Sequence, residues 1–262
     1  MSELRGRSPP RASVDLMELY RSLAWCYDFI TTGYEHKKEA DFVMTVVEAH
    51  KRSEGNSLLD AGCGHGWHDY FLKKDFEIAG VDLNEPILEI ARKRNPEVEY
   101  VLGDMRDFDL NEEFDVVLSF DALEHLLTYE DLEAALACLL RHLNEDGVLI
   151  FHLDRLRENF QQFRIAGSGQ YTKADTQVAF LDLEYDKNPE DTVAEGCLVF
   201  LIREKGKDLD VRLLEGESGL FELAEMQRIL DDMGLKTFLY SGDFSGREYS
   251  QGSPFPVFVC LR

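Results

Sequence analysis

The sequence predicts an α/β fold: a doubly wound, mostly parallel, seven-stranded sheet that carries an antiparallel β cap insertion. Two observations predict it. Short segments rich in Val, Ile and Leu alternate with helical segments between residues 57 and 153, and beyond about residue 155 the pattern changes to segments typical of antiparallel strands. Strands that are apolar throughout are buried on both faces, as in parallel sheets covered by helices.

The N-terminal part of the chain is predicted to be helical. Residues 14–30 have the amphipathic pattern of one helix, and residues 35–52 have that of a second. Residues 1–13 lack such a pattern, and we expect them to form a disordered arm. Residues 14–262 then form a single domain, with the cap inserted at about residues 168–217.

The five parallel strands are predicted at SLLDAG, FEIAGVD, VEYVLGD, FDVVLSF and GVLIFHL. The helix NEPILEIARKR, after the second strand, has Asn84 as its N-cap and Pro86 in its first turn. The helix after the fourth strand has Thr128 and Asp131 at the spacing of a capping box. These boundaries support the alternation of strands and helices.

The last part of the chain supplies the cap and closes the sheet. The segments TQVAFLDLEYD, GCLVFLIREK and DVRLLEGES are predicted to be antiparallel strands of the cap. A helix, GLFELAEMQRILDDMG, follows and ends at Gly234. The segments KTFLYSG and FPVFVCLR form a closing pair, which brings the main sheet to seven strands.

Composition narrows the class of partner. The 262 residues carry a net charge of -23, and such a surface repels phosphate backbones, so we expect no nucleic-acid partner. The five cysteines are scattered and odd in number, which argues against a disulfide framework and favours the cytoplasm. No apolar run reaches the length of a membrane helix, so we expect no membrane partner.

The stretch DAGCGHGW after the first strand is a glycine loop of the kind that binds nucleotides. A dinucleotide fingerprint needs glycine or alanine where Trp67 stands, and a phosphate-binding P-loop needs a lysine that this stretch lacks. Asp60 precedes the glycines, Asp82 ends the second strand, and Asp104 follows the third. A carboxylate at the position of Asp82 can accept both ribose hydroxyls of a nucleotide.

This loop resembles motif I of the class I S-adenosylmethionine-dependent methyltransferases, whose Rossmann-like fold agrees with the prediction above. The resemblance implies S-adenosylmethionine as cofactor, and a carboxylate beside the loop suits its two positive charges. It implies that Asp104 meets the adenine amino group and that Met105 packs on the ring. We therefore expect the cofactor to contact a set of residues from the successive strand ends: Tyr27, Asp60, Gly62, Cys63, Gly64, Asp82, Leu83, Asp104, Met105 and Phe120.

A closer resemblance covers most of residues 20 to 250. The stretches LAWCYDFI, IARKRNPEV, GDMRDF and the late SGR are similar to nucleotide-amino-sugar N,N-dimethyltransferases and to other small-molecule N-methyltransferases. Those enzymes are cytoplasmic and often dimeric, which leaves a homodimer open. They usually carry Phe-Ser-Ser-Ile-Gly after the fourth strand, where this sequence has FDALEHL. The resemblance implies N-methylation of a small amine, such as an amino sugar.

The candidate catalytic residues lie around the predicted acceptor site. His125 follows the fourth strand and could take a proton from the acceptor amine. Tyr27 matches a family tyrosine near the methyl donor, and Tyr20 and Arg247 are candidate acceptor-binding residues. His65 and His68 lack a third ligand at zinc-like spacing, so we expect no metal. Two alternatives stay open: methylation of an oxygen or carboxyl group, and a non-catalytic protein that binds S-adenosylmethionine.

Overall fold

The computed structural model describes residues 14–31, 33–250 and 252–262, so the predicted arm at 1–13 lies outside the described residues. The α-helices of these residues are α1 (Ala24–Ile30), α2 (Gly33–His50), α3 (Trp67–Leu72), α4 (Glu85–Arg94), α5 (Tyr129–Arg141) and α6 (Leu223–Asp232). The strands are β1 (Val14–Asp15), β2 (Ser57–Ala61), β3 (Glu77–Asp82), β4 (Glu99–Leu102), β5 (Phe114–Ser119), β6 (Leu143–His152), β7 (Arg164–Lys173), β8 (Thr176–Tyr185), β9 (Val193–Glu204), β10 (Asp210–Gly219), β11 (Lys236–Ser241) and β12 (Pro256–Leu261).

Seven strands form the main sheet, in the order β11-β12-β6-β5-β2-β3-β4. The five strands from β2 to β6 run parallel to one another. Strand β12 pairs antiparallel with both β6 and β11. The predicted fold class is therefore confirmed. Strands β2 and β5 are neighbours although two strands intervene in sequence, which is the kind of switch point where open α/β sheets bind ligands.

Two apolar clusters cover the two faces of this sheet. Leu59, Val117 and Phe151 belong to the cluster on one face, whereas Leu58, Val116 and Ile150 belong to the cluster on the other. Adjacent residues of one strand point to opposite faces, so both must be apolar when helices cover both sides. This double burial explains why the strand segments are apolar throughout rather than alternating.

Four antiparallel strands, β7 to β10, form a second sheet, and β1 joins its edge in parallel with β10. The prediction of one helix over residues 14–30 is therefore wrong. Val14 pairs with Leu214, a 3₁₀ helix follows over Leu16–Tyr20, and α1 begins only at Ala24. The backbone of Arg21, with φ −113° and ψ −101°, is not helical and separates the two helical pieces.

The N-terminal helical pieces pack against the second sheet. Leu19, Leu23 and Cys26 form one buried cluster with cap residues that include Phe200 and Leu214. Tyr20 and Tyr27 lie at the margin of this cluster, so the cap sheet helps to position both tyrosines. No helix of the described residues is long and apolar enough to cross a membrane.

Candidate active site

A cavity of about 560 Å³ lies where the parallel strands β2 to β5 end. It is lined by residues that follow these strands and by residues of the N-terminal helical pieces. Most of the site residues predicted from the sequence line it: Tyr20, Tyr27, Gly62, Cys63, Gly64, Asp82, Leu83, Asp104, Met105, Phe120 and His125. Asp60 and Arg247 are not part of this lining.

The glycine loop follows β2 and forms the floor of the cavity. Gly62 has φ +82°, and a Cβ added there would lie 2.3 Å from the Cβ of Ala122. Gly64 also has a positive φ, of +52°. Both the left-handed backbone and the close approach of the loop after β5 require glycine at position 62.

Asp82 ends β3 and points its carboxylate toward the loop. It accepts hydrogen bonds from the backbone N–H of Gly64 at 3.0 Å and of Asn84 at 2.9 Å. Burial raises the pKa of Asp82, while these two hydrogen bonds lower it. The carboxylate is thus held in one orientation, with lone pairs left for a ligand in the cavity.

Asp104 and Met105 follow β4. Both carboxylate oxygens of Asp104 accept hydrogen bonds from Arg106, which also pairs with Asp131. The hydrogen bonds from Arg106 lower the pKa of Asp104, so this carboxyl group is ionised. The methyl end of Met105 lies close to Gly62, so the thioether borders the loop and the cavity.

Four rings meet at one end of the cavity, two from the N-terminal pieces and two from the loops after β2 and β5. The hydroxyl of Tyr20 lies 3.1 Å from Nε2 of His125, and the Tyr20 and Tyr27 rings pack edge to face at 5.4 Å. Tyr27 in turn stacks on His65 at 4.9 Å. Burial, with the charge of Arg155, lowers the pKa of His125 to about 4, so its imidazole is neutral near pH 7.

The residues around this cavity fit S-adenosylmethionine. Glycines at the loop leave room for close approach to the backbone, and Asp82 offers acceptors to ribose hydroxyls. Carboxylates rather than lysines border the loop, which suits a cationic cofactor that carries no phosphate.

Asp60 lies beneath the glycine loop, buried with 1% of its surface exposed. Burial raises its pKa well above the ordinary value, and the nearby Asp69 raises it further. Asp69 accepts a hydrogen bond of 2.6 Å from the Tyr100 hydroxyl. The structure thus places Asp60 in a buried carboxyl pair behind the loop rather than on the cavity wall.

Arg247 lies outside the lining of the cavity. Its guanidinium ion-pairs with Asp243, and three quarters of its side chain is exposed.

Phe120 is buried beside His68 and His152, with ring centroids 5.4 Å and 4.5 Å away. Phe120 therefore lines the cavity and also packs against two buried histidines.

Sequence reasoning considered His65 and His68 but did not identify the side chains that contact them. His68 pairs with Glu39 at 2.7 Å, and His36 contacts the same carboxylate at 3.2 Å, whereas His65 bonds to Thr31. Glu39 and His36, whose ring also packs edge to face with that of His68 at 4.9 Å, both lie in α2, so no local spacing reveals these contacts. Asp121 also lines the cavity, with an unusual φ of +51°, within the FDALEHL stretch that departs from the resembled enzymes.

Comparison with known proteins agrees with this geometry. Residues 58–147 match the family model of a methyltransferase domain. The chain is 31% identical, over 86% of its length and 94% of the relative, to the dTDP-3-amino-3,4,6-trideoxy-alpha-D-glucopyranose N,N-dimethyltransferase of Streptomyces venezuelae. The crystal structure of DesVI from the same organism superposes with a TM-score of 0.76 at 27% identity, over 95% of this chain and 99% of that one.

A second solved structure carries the cofactor. CalS10, an amino pentose methyltransferase from Micromonospora echinaspora with S-adenosylmethionine bound, has a TM-score of 0.76 and 25% identity, over 92% of this chain and 97% of its own. The glycine loop, the carboxylates at the strand ends and these relatives lead to one conclusion. The chain belongs to the class I S-adenosylmethionine-dependent methyltransferases, in the family that includes the amino-sugar N,N-dimethyltransferases.

Proposed function

We propose that this enzyme transfers the methyl group of S-adenosylmethionine to the nitrogen of a small amine, an amino sugar or a compound like it. The observation that carries the proposal is the Tyr20–His125 pair, which lies at the end of a cavity whose floor is the glycine loop. Relatives with this arrangement of strands are named for the methylation of amino sugars. The cofactor supplies an activated methyl group on a good leaving group.

The cofactor residues are proposed from their positions along the cavity. Asp82 accepts the ribose hydroxyls, while Leu83, Asp104 and Met105 surround the adenine. The backbone of Gly62, Cys63 and Gly64 contacts the amino-acid part of the cofactor. The Phe120 ring forms part of the cavity wall. Asp60 acts indirectly, by fixing the loop from below, because its carboxyl group lies behind the loop.

The proposed catalytic residues act on the acceptor. An amine must lose its proton before its lone pair can attack. A neutral His125 whose Nε2–H donates to the Tyr20 hydroxyl keeps an unprotonated Nδ1, which can take that proton. Tyr20 orients His125, and Tyr27 holds the acceptor in line with the methyl group. Arg247 is proposed to reach the acceptor only after release from Asp243.

The surroundings of the enzyme are proposed from charge and cysteine chemistry. The net charge of -23 favours a small molecule over a nucleic acid as partner. Cys26, Cys63, Cys138, Cys197 and Cys260 are all free thiols, which supports a reducing compartment such as the cytoplasm. The antiparallel strands act as a cap on the same domain, because the N-terminal pieces pack against them. A homodimer remains compatible with the family.

The experiment that tests the function is a product assay. Purified protein is incubated with S-adenosylmethionine and a panel of amino sugars and simple amines, and S-adenosylhomocysteine is quantified beside the mass of the acceptor. We expect one equivalent of S-adenosylhomocysteine for each methyl group found on nitrogen. Methyl groups found on oxygen, or no turnover with any amine despite cofactor binding, contradict the proposal.

A further inference from the structure

Arg94, the last residue of α4, contacts three elements that border the cavity. Its guanidinium ion-pairs with Asp28 of α1 and donates a hydrogen bond to the backbone carbonyl of His65 in the glycine loop. It also lies 3.9 Å from the centre of the Trp67 ring, at the start of α3, in a cation–π contact. Only 12% of the Arg94 side chain is exposed, so these contacts occupy most of its surface.

Arg94 does not line the cavity itself, but it holds residues that do. Tyr27 precedes Asp28 in α1, lines the cavity, and stacks on the His65 ring with an angle of 15° between the rings. The hydroxyl of Thr31, directly after α1, lies 2.9 Å from Nε2 of His65. The glycine loop therefore meets α1 through the His65 ring and meets Arg94 through the His65 carbonyl.

The neighbouring residue, Asn95, provides a comparison. Its side-chain Nδ2 donates to the carbonyl of Gly66 at 2.8 Å and to the Tyr100 hydroxyl at 2.8 Å. The end of α4 thus holds two successive carbonyl groups of the glycine loop. Asn95 holds the loop alone, whereas Arg94 joins the loop to α1.

The Asp28–Arg94 pair is the connection that depends on charge. Among the residues that the structure describes, it is the one ion pair between residues 14–31 and the rest of the chain. Asp28 is 28% exposed and Arg94 less, so solvent screens this pair less than it screens a fully exposed one. Loss of either partner leaves the other charge partly buried without its counter-ion.

The position of this pair has a consequence for any ligand in the cavity. The glycine loop forms the floor, and Tyr20 and Tyr27 of the N-terminal pieces line the opposite side. A ligand enclosed between two elements leaves only when they separate, and the separation breaks the contacts that join them. The strength of the Asp28–Arg94 pair therefore bears on how fast a bound cofactor is released.

We propose that Arg94 is a positioning residue for the cofactor: through Asp28 and the His65 carbonyl, it holds α1 against the glycine loop and slows the release of the bound cofactor. Tyr27 is then held at the cavity as long as the cofactor is present. The proposal depends on the cofactor and not on the identity of the acceptor, so it goes beyond the proposed N-methylation.

The test measures the release of S-adenosylhomocysteine from the full chain. Protein loaded with the tritiated compound is mixed with an excess of unlabelled compound, and the label that stays bound is followed with time. Asp28→Asn and Arg94→Gln should each speed release at least about fivefold, with an equal loss of affinity in calorimetry, because breaking one partner of a charge pair acts on dissociation. Asp28→Asn leaves the contacts of Arg94 with the loop in place, so it serves if Arg94→Gln fails to fold.

The same helix offers a matched control. Arg92 lies two positions before Arg94 and ion-pairs with Glu85 at 2.6 Å, but both side chains are more exposed than Arg94. Arg92→Gln should leave the release rate within about twofold of wild type. The double variant Asp28→Asn/Arg94→Gln should release no more than about twofold faster than Arg94→Gln alone, because the pair is already broken.

Hydrogen exchange separates positioning from a general effect on stability. In the wild-type protein, saturating S-adenosylhomocysteine should slow exchange of the α1 amides. In saturated Asp28→Asn, most of this slowing should be lost in α1, while residues 62–66 of the glycine loop keep theirs. A role in stability alone would lower the Tm and speed exchange in α1 with and without ligand, and would leave the release rate unchanged.

The outcomes also separate this inference from the proposed function. Wild-type release from folded Asp28→Asn and Arg94→Gln overturns the inference, as does equal acceleration by Arg92→Gln. Fully additive effects in the double variant overturn it as well. If release is faster in both variants but no amine is methylated, the inference stands and the proposed N-methylation fails. If amines are methylated and release is unchanged, the reverse holds.

Discussion

The hydroxyl of Tyr20 lies 3.1 Å from Nε2 of His125, and this contact joins the N-terminal 3₁₀ helix to the loop after β5. The two residues are 105 positions apart in sequence. Because one comes from the segment that packs under the cap and the other from the main sheet, the pair closes one end of the cavity. A substitution of either residue therefore tests two things: the proposed acceptor site, and the contact that joins the N-terminal pieces to the main sheet.

The first prediction concerns His125. His125→Ala should lower kcat at least about tenfold, because its neutral imidazole lines the cavity and is proposed to take the proton of the acceptor amine. Affinity for S-adenosylmethionine, measured by calorimetry, should change less than about twofold, since this residue does not hold the cofactor. Tyr20→Phe is the control: it keeps the ring packing against Tyr27 and should cost less than His125→Ala. Unchanged turnover in His125→Ala would remove this residue from the mechanism.

Asp82 gives a prediction about the cofactor. Asp82→Ala removes the carboxylate that accepts hydrogen bonds from Gly64 and Asn84 and that we propose to bind the ribose. Hydrogen bonds to a charged group contribute about 1.5–3 kcal/mol each, so affinity for S-adenosylmethionine should fall at least about tenfold. Calorimetric titration measures the loss. Wild-type affinity in a folded Asp82→Ala protein would place the ribose elsewhere.

Gly62 offers a test with a matched control. Gly62→Ala and Gly206→Ala impose the same left-handed backbone, with φ +82° and +80°, at a cost of about 1–2 kcal/mol each. A Cβ at position 62 also meets Ala122 at 2.3 Å, whereas nothing lies within 4 Å at position 206. Gly62→Ala should therefore be less stable than Gly206→Ala in urea unfolding, and should lose cofactor binding.

A second substitution isolates the cause of that loss. Ala122→Gly removes the Cβ that clashes, so the double variant Gly62→Ala/Ala122→Gly should recover most of the excess destabilisation but not the backbone cost. Equal stability of Gly62→Ala and Gly206→Ala would show that the loop after β5 does not press on the glycine loop.

The buried carboxyl pair beneath the loop predicts a pH effect on stability. Burial and Asp69 raise the pKa of Asp60 above the value of the unfolded chain. Such a group stabilises the fold fully below its unfolded pKa, and this contribution is lost as the pH rises through the folded pKa. Asp60→Asn removes the loss, so the Tm of the variant relative to wild type should rise by about 3 °C or more between about pH 4 and about pH 8.

Thermal unfolding at several pH values measures this difference. Asp210→Asn, an exposed aspartate paired with Arg212, should show a difference from wild type that hardly changes with pH. A flat difference for Asp60→Asn as well would mean that Asp60 is ionised without cost in the folded protein. Retained cofactor affinity in Asp60→Asn would agree with its position behind the loop.

Some parts of this molecule could be predicted from the sequence because their causes are local. The strands β2, β5 and β6 are apolar on both faces, so the parallel sheet could be identified, and Thr128 caps α5 by accepting a hydrogen bond from Asp131 N–H at 3.1 Å. Asp82 and Asp104 stand at the carboxyl ends of neighbouring parallel strands. The parallel topology therefore brings both side chains to the same edge of the sheet.

Other parts depend on contacts between distant segments. Val14 joins the cap sheet beside Leu214, and no pattern within residues 14–30 indicates a strand that needs a partner 200 positions away. Arg155, which follows β6, likewise pairs at 2.5 Å with Glu184 of the cap strand β8, a contact between distant segments. The local pattern of apolar and polar residues carries no information about contacts between distant segments. These contacts therefore could not be predicted from the sequence.

One measurement tests the central claim most directly. The protein is incubated with S-adenosylmethionine carrying a ¹³C-labelled methyl group and with amino sugars in free and dTDP-linked form, and the products are examined by NMR and mass spectrometry. The account predicts labelled methyl on the amino nitrogen, with one S-adenosylhomocysteine formed per methyl, and loss of the signal in His125→Ala. Label on oxygen, or no label on any amino sugar despite bound cofactor, would contradict it.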